Sequence, residues 1–184
     1  MRSRPRALQG GENSSPAAAP DFDSLFRTCV GDVHAYAMSM LADRAAAEDV
    51  TALAFERLYR ARSRLDPRRG TARGMLFTIA RNAALDELRR RSRRPLAEGP
   101  GELPDARSDV ALEQVEHRAL VADALAGLGG RDRELVLLKF HGQLSNGELA
   151  RALGISESNV GTRVHRALTR LRTRCLELER ESAA

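Results

Sequence analysis

The chain has 184 residues, 42% of them hydrophobic and 4% aromatic, with no tryptophan and a formal net charge of +5. That length allows one or two small domains with an aliphatic core, and the positive balance points to a polyanionic partner. No run approaches the roughly 18 apolar residues of a membrane span, no apolar signal-peptide core follows Met1, and Cys29 and Cys175 both sit on apolar stripes, so a cytoplasmic protein with free thiols and no membrane insertion is expected.

Residues 1–20 hold Pro5, Pro16 and Pro20 among glycines and serines and read as a disordered tail. Residues 21–41 fit an amphipathic helix with Leu25, Phe26, Cys29, Val33, Tyr36, Ala37, Met40 and Leu41 inward. Asp43 caps a second helix running to about Leu65, with Ala47, Val50, Ala54, Leu58 and Ala61 on its stripe. Asp66-Pro67-Arg68-Arg69-Gly70 is a loop by composition. Thr71 caps a third helix whose inward residues are Met75, Leu76, Ile79, Ala80, Ala83 and Leu88. Its end is strongly basic: residues 81–95 carry six arginines against Asp86 and Glu87, more cations than a helix dipole needs.

Pro95, Gly99, Pro100, Gly101 and Pro104 mark a linker, and residues 96–117 carry six acids against Arg107. An acidic strand there would keep off DNA, fill a basic channel in a partner, or only keep the chain soluble. Helices resume near Asp109, with Leu112, Val115, Ala119, Ala122 and Leu125 on one stripe and Leu135, Val136, Leu138 and Phe140 on the next. No alternating strand pattern occurs. The expectation is an all-α chain of two small helical domains joined by a flexible acidic linker, with boundaries at 21–95, 96–110 and 111–180.

Residues 145–160 have the grammar of a helix-turn-helix. Ser145 and Glu148 form a capping box, Leu149, Ala150 and Leu153 face inward, and Gly154 follows where a left-handed backbone is needed. Ser156 caps a last helix with Val160, Val164, Ala167, Leu168, Leu171, Cys175 and Leu178 inward. Residues 157–174 carry Arg163, Arg166, Arg170, Arg172 and Arg174 against Glu157 alone, a row suited to phosphate oxygens. An ordinary helical hairpin in a core is the competing reading. Of the 30 basic residues only Lys139 is a lysine; arginine suits bidentate phosphate and guanine contacts, though a codon bias would give the same excess.

No catalytic constellation is present: no nucleophile elbow, zincin motif or phosphate loop. His34, His117, His141 and His165 are scattered, and no metal-ligand spacing exists. Neither enzyme, metal nor cofactor is expected.

Two separated segments together resemble the extracytoplasmic-function (group 4) RNA polymerase sigma factors, across about residues 21–180. Ala47-Glu48-Asp49-Val50-Thr51-Ala52-Leu53-Ala54-Phe55 is similar to the family's polymerase-docking helix. Arg69-Gly70 and Ile79-Ala80-Arg81-Asn82-Ala83-Ala84-Leu85-Asp86-Glu87-Leu88-Arg89-Arg90 resemble its segment contacting the minus-ten element. Arg133-Glu134, Glu148-Leu149-Ala150, Gly154-Ile155-Ser156, Val160 and Arg163-Val164-His165-Arg166-Ala167 resemble the domain that reads the minus-thirty-five element. Ala52, Met75 and Gly161 depart from the family pattern, which usually has glutamine, an aromatic and a longer side chain there.

The resemblance implies a subunit that binds core RNA polymerase and directs promoter recognition, held in check by an anti-sigma factor. Glu48, Asp49 and Arg57 would dock on the polymerase, although the two acids also suit the first turns of a helix on their own. Arg68, Arg69, Arg81, Asn82, Arg89 and Arg90 would hold the melted minus-ten strand, Asn82 at a base edge and the arginines at phosphates. Asp86 would rather brace an arginine. Glu157, Ser158, Asn159, Thr162, Arg163 and Arg166 would meet promoter DNA at the minus-thirty-five element. The alternatives are a stand-alone helix-turn-helix regulator and an interaction module for an acidic partner. The second arginine cluster favours the sigma-like reading.

Overall fold

The computed structural model describes residues 22–64, 66, 70–93 and 112–182. The tail, most of the loop with Arg68 and Arg69, and the linker at 96–110 lie outside them. The regular structure of the described residues is all helical, in seven α-helices: α1 Phe22–Leu41, α2 Arg44–Ala61, α3 Ala72–Arg93, α4 Leu112–Ala126, α5 Gly130–Phe140, α6 Asn146–Leu153 and α7 Glu157–Ser182, plus one 3-10 turn at Arg62–Arg64. No strand occurs among them.

The boundaries follow local chemistry. Asp43, in extended backbone, accepts from Ala46 N and starts α2. The Thr71 hydroxyl accepts from Gly74 N at 3.0 Å and opens α3. Ser145 and Glu148 form the capping box of α6, and Gly154 ends it at φ 66°, ψ 35°. That left-handed backbone is cheap only for glycine. Ser156 Oγ accepts from Asn159 N at 3.4 Å ahead of α7.

α1, α2 and α3 pack on one another as a first unit, while α4, α5 and α6 pack on α7 as a second. The two units also touch, α1 against α5 and α3 against α6. One core runs through both: Cys29, Val33, Tyr36, Leu58, Leu76, Phe77 and Ala80 lie with Leu135, Leu137, Leu138, Leu144, Leu149 and Val160. A smaller cluster joins Leu128, Val136 and Ala167. Tyr36 and Phe77 meet edge-on at 5.9 Å between ring centres.

α5 explains this arrangement. Five consecutive residues, Glu134, Leu135, Val136, Leu137 and Leu138, are buried. A helix apolar all round is a helix covered all round: Val136 faces the smaller cluster, and Leu135, Leu137 and Leu138 join the shared core. The periodic stripe names Leu135, Val136 and Leu138 but passes over Leu137, because it assumes one covered face.

Several expected inward residues lie outward. Met75 is 40% exposed and Phe140 58%; Ala119 and Ala122 are exposed too. α3 buries Gly74, Leu76, Phe77, Ala80, Ala83 and Ala84 instead, a face set by two neighbouring layers that leaves Met75 at its flank. Phe26 is also exposed, but its ring meets Phe55 edge-on at 4.9 Å at the rim of a groove. Cys29 and Cys175 are free thiols, the first buried and the second half-buried.

Candidate nucleic-acid interface

The helix-turn-helix buries one face of α7 and leaves the other open. Val160 and Ala167 are fully buried and pin α7 to the rest of the unit. Opposite them Glu157, Ser158, Asn159, Thr162 and Arg166 are exposed, with Arg163 half-buried. Ser158, Thr162 and Arg166 follow at steps of four, so they share one stripe. No carboxylate among the described residues pairs with Arg163 or Arg166. Farther along, Arg170 is bridged to Asp132 on α5, which ties α7 to the unit, while Arg174 pairs with Glu177 at 3.1 Å within α7 itself. The open stripe thus begins at the amino end of α7, where free backbone N–H groups favour an anion.

The turn between α5 and α6 is held by the chain's lone lysine. Lys139 Nζ donates to Leu144 O at 3.1 Å and lies 3.4 Å from Asn146 Oδ1. Periodicity gave this residue no role.

On α3 the arginines divide. Asn82 is exposed, next to Arg81, whose Nη1 donates to Asn82 Oδ1 at 3.2 Å. Arg89 pairs with Asp86 at 2.9 Å and Arg90 with Glu87 at 2.8 Å, both arginines still exposed. The bracing expected of Asp86 is therefore observed. Arg91 is structural: it reaches Glu87, Asp43 and Leu41 O, tying α3 to the turn between α1 and α2. Burial pushes the Glu87 carboxyl up, but hydrogen bonds from Arg91 and Arg90 outweigh it and hold the pKa below the ordinary range.

Arg81 is placed differently from its neighbours. Its Nε lies 2.6 Å from Glu134 Oε1 on α5, with the two side chains 18% and 9% exposed. The pair is an ion pair by distance, but the N–H does not line up with the oxygen as a hydrogen bond. Arg73, which no motif or stripe singles out, is a second arginine between the units. It meets Asp32 Oδ2 at 2.7 Å, His141 O at 2.8 Å and Gly142 O at 2.6 Å. Arg133 donates to Ser39 O, and the Thr71 hydroxyl to Glu148. Neither Arg73 nor Glu134 carries a local signal for this role, because both partners lie on the other unit or far along the chain.

The candidate docking residues do not share one cleft. Glu48, paired with Arg44 at 2.8 Å, lines an apolar groove with Phe26, Val30, His34, Ala52 and Phe55 between α1 and α2. Asp49 and Arg57 line a second cleft between α2 and α3 with Leu53, Asp86 and Arg90. Ala52, where a longer side chain was expected, is part of the wall of the first groove. No His, Cys, Asp or Glu cluster suited to a metal occurs among the described residues.

Two family models match separate segments of the chain. Residues 25–94 match the family described as Sigma-70 region 2, and residues 118–171 match Sigma-70, region 4. The ECF RNA polymerase sigma factor SigL of Mycobacterium tuberculosis is 31% identical over 145 residues, covering 78% of this chain and 82% of SigL. The RNA polymerase sigma-E factor of Streptomyces coelicolor is 33% identical over 153 residues, covering 83% and 84%. Among solved structures, the sigma factor RpoE in complex with the anti-sigma factor NepR from Bartonella quintana superposes with a TM-score of 0.66 at 22% identity. It covers 84% of this chain and 96% of that one, a likeness of fold.

Proposed function

The chain belongs to the extracytoplasmic-function RNA polymerase sigma factors, and from that premise we propose how its residues divide the work. It binds core RNA polymerase, directs promoter recognition and transcription initiation, and is under anti-sigma control. The observation that carries this is the pair of family segments in order on one chain, each ending in a cationic helix. The chemistry of RNA synthesis belongs to the polymerase; this chain chooses where it starts. No helix among the described residues is long and apolar enough to cross a membrane. A protein that works with core polymerase acts in the cytoplasm.

Residues 21–95 form the unit for polymerase docking and the minus-ten element, and residues 111–180 the unit for the minus-thirty-five element, with 96–110 as linker. Glu48, Asp49 and Arg57 dock on the polymerase from the two sides of α2, a geometry that supports a partner straddling its exposed face. Asn82 reads a base edge, while Arg68, Arg69, Arg81, Arg89 and Arg90 hold backbone phosphates. Glu157, Ser158, Asn159 and Thr162 face bases from the first turns of α7, with Arg163 and Arg166 at phosphates or guanine.

Reconstitution with core polymerase tests the whole reading. Transcription from selected genomic promoters should require this chain, and Arg81→Ala with Asn82→Ala should abolish initiation while the protein still binds polymerase. Duplex binding without any association with polymerase would instead mark a stand-alone regulator.

A further inference from the structure

The two cationic faces are in different states. On α7 the stripe through Ser158, Thr162 and Arg166 opens to solvent. On α3, Arg81 is already occupied by a carboxylate from the other unit. We propose that Glu134 is an intramolecular stand-in for nucleic acid at Arg81: α5 docks on α1 and α3, holds the free chain closed, and must leave before the minus-ten strand is gripped. This rests on the reading of Arg81 as a phosphate contact.

Three observations carry it. A guanidinium presents the same fork of donors to a carboxylate as to a phosphate, so the two compete for one group. The contact sits at the seam between the units, where Arg133 also holds Ser39 O and Arg73 holds His141 O and Gly142 O. The Arg81 side chain is 18% exposed, so Glu134 covers part of the guanidinium that a phosphate would meet.

The third observation concerns reversibility. Buried ion pairs repay their desolvation only when the geometry is good and other hydrogen bonds complete them. Here the Arg81 N–H misses alignment, and the Tyr36 hydroxyl and Arg133 Nε beside it have no partner among the described residues. Burial, with Glu134 nearby, pushes the Tyr36 hydroxyl pKa far up, which keeps it neutral against this seam. Unpaired buried polar atoms weaken an interface. The seam is therefore apolar enough to close and polar enough to open.

The test uses the full chain and the variant Glu134→Gln, which keeps the shape and removes the charge. The probe is a fluorescent single-stranded oligonucleotide spanning the minus-ten element of a promoter that the reconstituted polymerase selects. Apparent affinity falls by the fraction of chain in the competent form, so a protein open about one-tenth of the time would gain roughly tenfold on release. Glu134→Gln should show that gain together with a larger radius of gyration by small-angle scattering, and adding Arg81→Ala should cancel the gain. An unchanged radius and affinity would overturn the latch. Opening without a gain in affinity would overturn it as well.

The reading of Arg81 fails separately, if Arg81→Ala alone initiates as the parent chain does in reconstituted polymerase. A second variant closes the seam instead of opening it. The Ser39 Oγ and His141 Nε2 atoms are 3.5 Å apart across it. Ser39→Cys with His141→Cys in a Cys175→Ser background, bridged by a cleavable thiol cross-linker, should lose initiation and regain it on cleavage. Initiation that persists while bridged would overturn the proposal.

Discussion

Glu148 serves two helices at once. Its carboxylate accepts from Ser145 N and the Ser145 hydroxyl at the start of α6, and from the Thr71 hydroxyl at the start of α3. Burial pushes its pKa up, but the hydrogen bonds from Thr71 and Ser145 outweigh that and hold it below the ordinary 4.5. Because the folded pKa lies below the unfolded one, the stabilisation is complete above 4.5 and is lost as pH falls through the lower folded value. Thermal melting followed between neutral and acidic pH should therefore show a decline that starts near that point, and Glu148→Gln should flatten this part of the profile. An equal acid slope in both proteins would remove Glu148 from the account. Ser145→Ala should cost about 1 kcal/mol at neutral pH, the usual loss for a hydroxyl cap, and less once Glu148 is protonated.

At the scale of the element, α7 contains a glycine that the fold does not need. Gly161 is exposed, and a β-carbon there would meet only Asn146 Nδ2 at 3.9 Å. Gly161→Ala should raise stability by about 0.5–1 kcal/mol, since glycine in a helix interior is less favourable than alanine by that amount. A gain in melting temperature with unchanged promoter binding would mean the glycine only removes a contact; a gain with weaker binding would mean the backbone of α7 approaches DNA there. Arg163→Ala and Arg166→Ala should each weaken binding across sequences and lower the salt slope by about 1 per phosphate contact, read by fluorescence anisotropy from low to high salt. An unchanged slope would move both residues off the phosphates. The bounds of this element are legible in the sequence, because Ser145, Glu148, Gly154 and Ser156 act within a few residues of themselves. Local rules failed on α5, where Glu134 meets Arg81 from more than forty residues away in sequence and Leu137 joins a core built by both units.

The whole molecule adds what neither scale contains. Arg81 belongs to the segment resembling the minus-ten contact and Glu134 to the one resembling the minus-thirty-five domain, and nothing in the sequence pairs them; only the fold makes them partners. Periodicity reports that a face is apolar, not which surface covers it, so the two units and their faces were readable while their seam was not. The seam is part of the core, with Leu138 fully buried in the same cluster as Val33, Phe77 and Ala80. A shared core couples the two units, so the closed chain should melt in one transition, with helix content and an interface probe moving together. Leu138→Ala should cost about 2–5 kcal/mol as a large-to-small core change. Its signature is where that cost appears. Amide exchange should quicken in α1 and α3 as well as in α5, because the cavity opens onto both units. Faster exchange confined to α5–α7, or two separate melting steps in the parent chain, would show that each unit stands on its own core and that their contact contributes little to the fold.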